Sequence, residues 1–213
     1  MIRTACALSL IALISGCGQM PSLFSSRSAA PSGVVAPQMA AFEMDVPFEA
    51  TVPFGTVARV CDATGKPLGQ LVEEAGDGAY QIYDSGPETM DLRKFYLTGL
   101  SDGCPRQFVA ATAIFGTPTK YEELHLAEGA PEFQYAATDA AYDDIKLRIC
   151  GAAPGETCGR KMKKLERNTL FVSAYDLTGE AERWTDILIH DGAVVATALK
   201  TSASADAGED QQE

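Results

Sequence analysis

Apolar and polar residues alternate through Phe42-Glu43-Met44-Asp45-Val46-Pro47-Phe48, which puts Phe42, Met44, Val46 and Phe48 on one face of a strand. Pro47 has no N–H to give to a ladder and confines that strand to a sheet edge. Tyr80-Gln81-Ile82-Tyr83, Phe95-Tyr96-Leu97-Thr98, the run Phe108 to Phe115 and Thr169 to Tyr175 have the β-branched and aromatic character of further strands. From Thr138 to Cys150 the period changes: Tyr142, Ile145 and Ile149 share a face at helical spacing, Thr138 offers a cap and Gly151 a stop. Gly159 to Glu166 predicts a second helix with Met162 and Leu165 inward. Ile187-Leu188-Ile189-His190-Asp191-Gly192-Ala193-Val194-Val195-Ala196 predicts a β-hairpin turning at Asp191-Gly192, where two successive residues need positive φ.

These elements predict an α+β fold of antiparallel meanders with a few short helices. An internal echo suggests two pseudo-repeats, residues 56–115 and 139–199. Arg59-Val60-Cys61, Tyr83-Asp84, Asp102-Gly103 and Val109-Ala110-Ala111-Thr112 return in order as Arg148-Ile149-Cys150, Tyr175-Asp176, Asp191-Gly192 and Val194-Val195-Ala196-Thr197, at a spacing of about 90 residues. A duplicated unit requires Val109 and Val194, and Thr112 and Thr197, to face corresponding ways. If Val57 to Cys61 and Leu68 to Glu74 are strands instead, the first half becomes a sandwich-like sheet.

Composition sets the boundaries. Residues 18–41 are rich in Ser, Pro, Ala and Gly without periodicity, a tether whose coil dimension is on the order of 25–30 Å. Residues 201–213 hold Ala, Ser, Asp, Glu and Gln but no large apolar side chain, the composition of a disordered acidic tail. The globular domain is therefore expected over residues 42–200. The net charge of −12 argues against nucleic acid as a partner, because such binding needs Lys and Arg to neutralise phosphates.

Near the N-terminus, Arg3 is followed by an apolar run from Ala5 and then by Ile14-Ser15-Gly16-Cys17. The run is too short to span a bilayer and suits a secretory signal. The motif resembles the bacterial lipobox. That resemblance implies that residues 1–16 are removed as a signal peptide and that Cys17, at the head of the 17–41 tether, becomes an acylated N-terminus of palmitate type. It further implies, from Gly18 in the sorting position, attachment to the periplasmic face of the outer membrane. The domain from Pro53-Phe54-Gly55 through Asp102-Gly103-Cys104-Pro105 to His190-Asp191-Gly192 resembles a small family of exported bacterial proteins without an assigned activity, and the likeness supplies no functional residues.

Export makes disulfides the expected state of Cys61, Cys104, Cys150 and Cys158. Four cysteines allow three connectivities. The turn-rich segment 151–157 favours Cys150–Cys158, leaving Cys61–Cys104. Chain-entropy arguments assign roughly 2.6 kcal/mol to the shorter loop and about 4 to the longer. A four-thiolate zinc site would need a C-x-x-C pair, and none occurs.

Catalytic signals are sparse. His125 sits in Tyr121-Glu122-Glu123-Leu124-His125, read as an exposed polar turn or short helix, and His190 adjoins the hairpin, where it can bond the turn backbone. No metal, catalytic or cofactor site is assigned, since no hydrolase elbow, phosphate loop or paired-histidine motif appears. The neighbouring acids Glu122/Glu123 and Asp143/Asp144 read as solvated surface. Two exposed features remain: the basic run Arg160, Lys161, Lys163, Lys164 and Arg167, able to face an anionic envelope polymer or lipid headgroup, and the cysteine-tied turn Ser101 to Phe108. The reading is thus a lipid-anchored, non-catalytic binding module whose partners are the membrane through its acyl chain and an envelope protein or polymer. The alternative is a hydrolase acting on peptidoglycan or lipid. A cleft of converging carboxylates would favour the enzyme, and an apolar groove the binding module.

Overall fold

The computed structural model describes residues 44–129, 134–179 and 182–202, all within one contact unit. Its strands are β1 (Met44–Asp45), β2 (Ala58–Arg59), β3 (Gln70–Ala75), β4 (Tyr80–Asp84), β5 (Arg93–Thr98), β6 (Arg106–Ala110), β7 (Thr112–Gly116), β8 (Thr169–Asp176), β9 (Arg183–His190) and β10 (Ala193–Thr201). Its helices are α1 (Pro118–His125), α2 (Ala137–Cys150) and α3 (Met162–Glu166), with short 3₁₀ turns at Cys61–Ala63 and Gly159–Lys161. The class is α+β, with almost every strand pair antiparallel.

The first sheet has the order β1-β2-β6-β5-β4-β3. Strand alternation places Ile82, Phe95, Leu97, Phe108 and Ala110 on one face, where all are buried. The opposite face is crossed by the irregular segment 46–52. Its backbone carbonyls have no ladder to join, so sheet side chains satisfy them: Tyr96 donates to the Phe48 carbonyl at 3.3 Å, Lys94 to Glu49 at 2.9 Å and Gln107 to Ala50 at 2.8 Å. Val46 and Val52 seal the seam against Ala58 and Val109. Pro47 follows β1, which lies at the sheet edge as expected and runs parallel to β2. Residues Phe42 and Glu43 of that predicted strand lie outside the described residues.

The run Phe108 to Phe115 is two strands rather than the single one its composition suggests. At Ala111 the chain leaves the first sheet for the second. Arg93 fixes the crossing: its Nε and Nη2 donate to Asp84 at 2.8 and 2.5 Å, and its Nη1 donates to the Ala111 carbonyl at 2.7 Å. Composition does not reveal this, because strand-forming residues continue through the switch and only the pairing partner changes, from β5 to β8.

The second sheet has the order β10-β9-β8-β7. Its inner face, with Leu170, Val172, Ala174, Ile187, Ile189 and Val194, meets the inner face of the first sheet and completes a sandwich core. Its outer face is covered at one end, where Phe171, Leu188 and Ala196 pack against Ala141, Tyr142 and Ile145 of α2 and Leu165 of α3. The β9–β10 hairpin turns at Asp191 and Gly192, with φ of 50° and 78°. Gly151 ends α2 at φ 73°. The helix begins one residue earlier than its pattern indicates: Ala136 is the cap position, its N–H held by Asp139 at 2.7 Å, and Thr138 lies buried inside the first turn.

Two disulfides close the chain in the pairing that the turn-rich segment 151–157 favoured. Cys61–Cys104 ties the first 3₁₀ turn to the β5–β6 turn with Cα atoms 4.3 Å apart, and Cys150–Cys158, at 5.4 Å, binds the end of α2 to the start of the basic segment. Within the β5–β6 turn Asp102 accepts from Arg106 at 2.8 and 3.1 Å and from the Cys104 N–H at 3.1 Å, so Ser101 to Phe108 is a stapled structural loop.

The repeat expectation does not hold at the positions that define it. Arg59-Val60-Cys61 is strand and 3₁₀ turn, whereas Arg148-Ile149-Cys150 ends a helix. Val109 packs outside the first sheet, but Val194 packs between the sheets. Thr112 is paired with Tyr175 on the outer face and Thr197 with Ile187 on the inner one. The shared words are turn and strand chemistry. The first half, with β2 and β3 as strands, takes the sheet alternative.

Candidate ligand-binding pocket

The helices leave part of the second sheet's outer face uncovered. Cross-strand pairing sets three rungs there: Gly116–Phe171–Leu188, Ile114–Ser173–Asp186 and Thr112–Tyr175–Trp184. The first lies under the helices. Ser173, Asp186, Tyr175 and Trp184 of the other two form the floor of a cavity of about 330 Å³, with Gly116 and Phe171 at its inner end, Ile114 at its mouth, walls of Tyr121, Leu124 and His125 from α1, and a rim of Lys120 and Glu182. α1 starts sharply after β7 because Thr117 caps it, accepting the Lys120 N–H at 3.2 Å, and Pro118 fits the first turn.

Tyr121 organises the wall. Its ring stacks on Phe171 at 4.6 Å between centroids, on His125 at 4.1 Å, and tilts against Tyr142 at 4.6 Å. The Tyr121 hydroxyl donates to Asp139 on α2. From there a buried polar chain runs beneath the pocket: Asp139 Oδ1 meets Lys200 Nζ at 2.8 Å, Lys200 Nζ meets Asp186 Oδ2 at 3.2 Å, and Ser173 Oγ donates to Asp186 Oδ1 at 2.7 Å. The Lys200 side chain is 2 % exposed and the two carboxylates 7 % and 8 %, so each charge depends on the others.

Burial, reinforced by Asp139, pushes the Tyr121 hydroxyl far above the usual tyrosine range and keeps it a donor. Burial also pushes His125 below the ordinary histidine value, so its ring is neutral at pH 7, with Nδ1–H donating to the Tyr121 carbonyl at 2.9 Å. Tyr175 is likewise raised by burial. The pocket therefore presents aromatic and aliphatic surface with a hydroxyl and a carboxylate at its base. Asp186 is already balanced by Lys200, and Ser173 spends its proton on Asp186 rather than on a histidine. This arrangement suits holding a molecule better than activating a nucleophile.

The residues singled out from sequence are dispersed. Cys17 lies outside the described residues, and all four domain cysteines stand apart from the lining. His125 is a half-buried pocket wall on a short helix, not exposed. His190 contacts side chains rather than turn backbone, with Nδ1 2.9 Å from Thr169 Oγ1 and Nε2 3.3 Å from Asp191 Oδ2. Glu122 corrects the solvated reading of its pair: it is 5 % exposed and accepts the Tyr142 hydroxyl at 3.0 Å and the Cys158 N–H at 3.0 and 3.1 Å. Its neighbour Glu123 is on the surface beside Lys120. Asp143 pairs with the buried Lys146 at 3.0 Å.

Sequence reasoning missed Ser173, Trp184, Asp186, Asp139 and Lys200. The polar positions of β8 and β9 were visible as alternation, but their partners on α2 and β10 were not. Among the described residues no group of three or more His, Cys, Asp and Glu side chains could hold a metal ion, and no helix is long and apolar enough to cross a membrane. No family model, curated protein or solved structure matches this chain.

Proposed function

We propose that the domain is a non-catalytic binding module that takes a small, planar, largely apolar molecule into the α1–β8–β9 pocket. The observation that carries this reading is the aromatic cavity itself, whose volume of about 330 Å³ falls within the range of small-molecule sites. Its base supplies orienting polar atoms already held by the Lys200 network, which limits the reorganisation on binding. Ile114 and Leu124, 45 % and 48 % exposed, give the mouth an apolar lip. The hydrolase alternative has weaker support, because both converging carboxylates are committed to Lys200. In this proposal the lipobox anchors the module through acylated Cys17 at the periplasmic face of the outer membrane, on the tether of residues 18–41.

Trp184, the single tryptophan, lies in the pocket floor and reports occupancy. Titration with N-phenyl-1-naphthylamine, a neutral dye with a planar naphthyl ring, is expected to quench Trp184 saturably with energy transfer to the dye. Ile114→Arg and Leu124→Arg, both at exposed positions, should abolish the signal without lowering the melting temperature. A wild-type protein that leaves the dye in solution, or variants that bind it equally well, would overturn the pocket reading. Fatty-acid labelling tests the anchor separately: label on Cys17→Ser at the wild-type level would remove it.

A further inference from the structure

The 3₁₀ turn and α3 carry Arg160, Lys161, Lys163, Lys164 and Arg167 within eight positions, all exposed, in a chain whose net charge is −12. Met162 and Leu165 turn inward, Leu165 completely, so the segment presents its cations as an outward face. Cys158, in its disulfide with Cys150, and the Lys161 Nζ donation to the Cys150 carbonyl at 2.9 Å clamp it to the end of α2. Across from it, the β3–β4 turn brings Gly76 and Asp77 to the other side of an open concavity of about 860 Å³.

Pairing sets this face apart. Most other described cations sit on carboxylates, as in Arg59–Asp45, Lys66–Asp62, Arg106–Asp102 and Arg183–Asp176, with Lys94 and Arg148 as isolated exceptions. Among the described residues Arg160, Lys163, Lys164 and Arg167 have no carboxylate within ion-pair distance, although acids outnumber bases 29 to 17 in the chain. Five like charges on so short a segment repel one another, and that repulsion is relieved by an anion from outside. Positions 160, 163/164 and 167 recur at about one helical turn, a stripe about 10 Å long that suits successive charges of one chain.

The lining narrows the partner. It contains no aromatic side chain on which bases could stack, and segment 159–167 exposes no large apolar side chain to enter a bilayer. We propose that this groove binds a flexible, base-free polymer of phosphate groups. Arginine forks and lysine ammonium groups take its oxygens, and the acidic remainder of the surface restricts contact to the stripe.

Calorimetric titration of the full chain with inorganic polyphosphate tests this. Affinity should fall roughly 50-fold between about 50 and 200 mM salt if four phosphates are neutralised. The double variant Lys163→Glu/Lys164→Glu should weaken binding by at least about tenfold, Lys163→Gln/Lys164→Gln by less, and Lys66→Glu not at all, with unchanged melting temperatures. Absence of polyphosphate binding, or equal loss in Lys66→Glu, would overturn the proposal. So would tighter binding to phosphatidylglycerol vesicles or to single-stranded DNA than to polyphosphate, assigning the face to a bilayer or to nucleic acid.

Discussion

Lys200→Met removes the one cation between Asp139 and Asp186 while keeping much of the side-chain volume. Both carboxylates remain buried, and Asp139 keeps only the Tyr121 hydroxyl and the Ala136 N–H. Breaking a buried ion pair by deleting one member typically costs about 3–5 kcal/mol, because the survivors cannot recover their hydration. For a domain of this size that corresponds to a melting temperature lowered by roughly 6–20 °C. The loss should shrink on acidification: without Lys200 the native state favours protonated carboxyls, so it takes up protons more readily than the unfolded chain and gains stability as pH falls. Asp139→Asn in the Lys200→Met background should recover a large part of the loss, since a neutral amide needs no counter-charge. Urea denaturation followed by circular dichroism between pH 5 and pH 7 measures all three effects. A loss below about 1 kcal/mol, or one that grows on acidification, would refute the argument that the charges are mutually dependent. The pocket should respond as well, because Asp186 would no longer be fixed beneath Ser173.

Three further outcomes follow from the packing. Non-reducing peptide mapping should give Cys61–Cys104 and Cys150–Cys158 and no free domain thiol, and Cys150→Ser/Cys158→Ser should lose roughly 2.6 kcal/mol in urea melts; a peptide joining Cys61 to Cys150 would contradict the connectivity. Burial lowers the folded-state pKa of His125, so as pH falls through about 6.5 the unfolded chain binds the proton first and stability declines; His125→Gln should flatten that slope between about pH 5 and 6.5, and an NMR titration midpoint at or above 6.5 would exclude the effect. Gly99 has φ of 90°, and a Cβ there would overlap the Ala79 carbonyl oxygen at the end of the β4–β5 pair. Gly99→Ala should therefore cost at least about 2 kcal/mol, and a melt within 0.5 kcal/mol of wild type would show that the backbone relaxes freely.

Local chemistry alone determined the strands at Tyr80–Asp84 and Arg93–Thr98, the helix ending at Gly151, the turn at Asp191-Gly192 and the favoured cysteine pairs. Each depends on neighbours in the chain: the period of apolar residues, a left-handed glycine, or the short loop that closes Cys150–Cys158 and leaves Cys61 to pair with Cys104. The change of sheet at Ala111, the burial of Glu122 and the unlike faces of Val109 and Val194 were decided only by tertiary structure. The pocket belongs to that second group. Alternation in β8 and β9 marks Ser173 and Asp186 as polar positions, but the cation that balances Asp186 comes from β10, and the Tyr121 wall comes from a helix that precedes β8 by some forty residues of chain. Periodicity states which side chains must leave water; it does not state which surfaces meet when they do, because that choice rests on contacts between residues far apart in the chain.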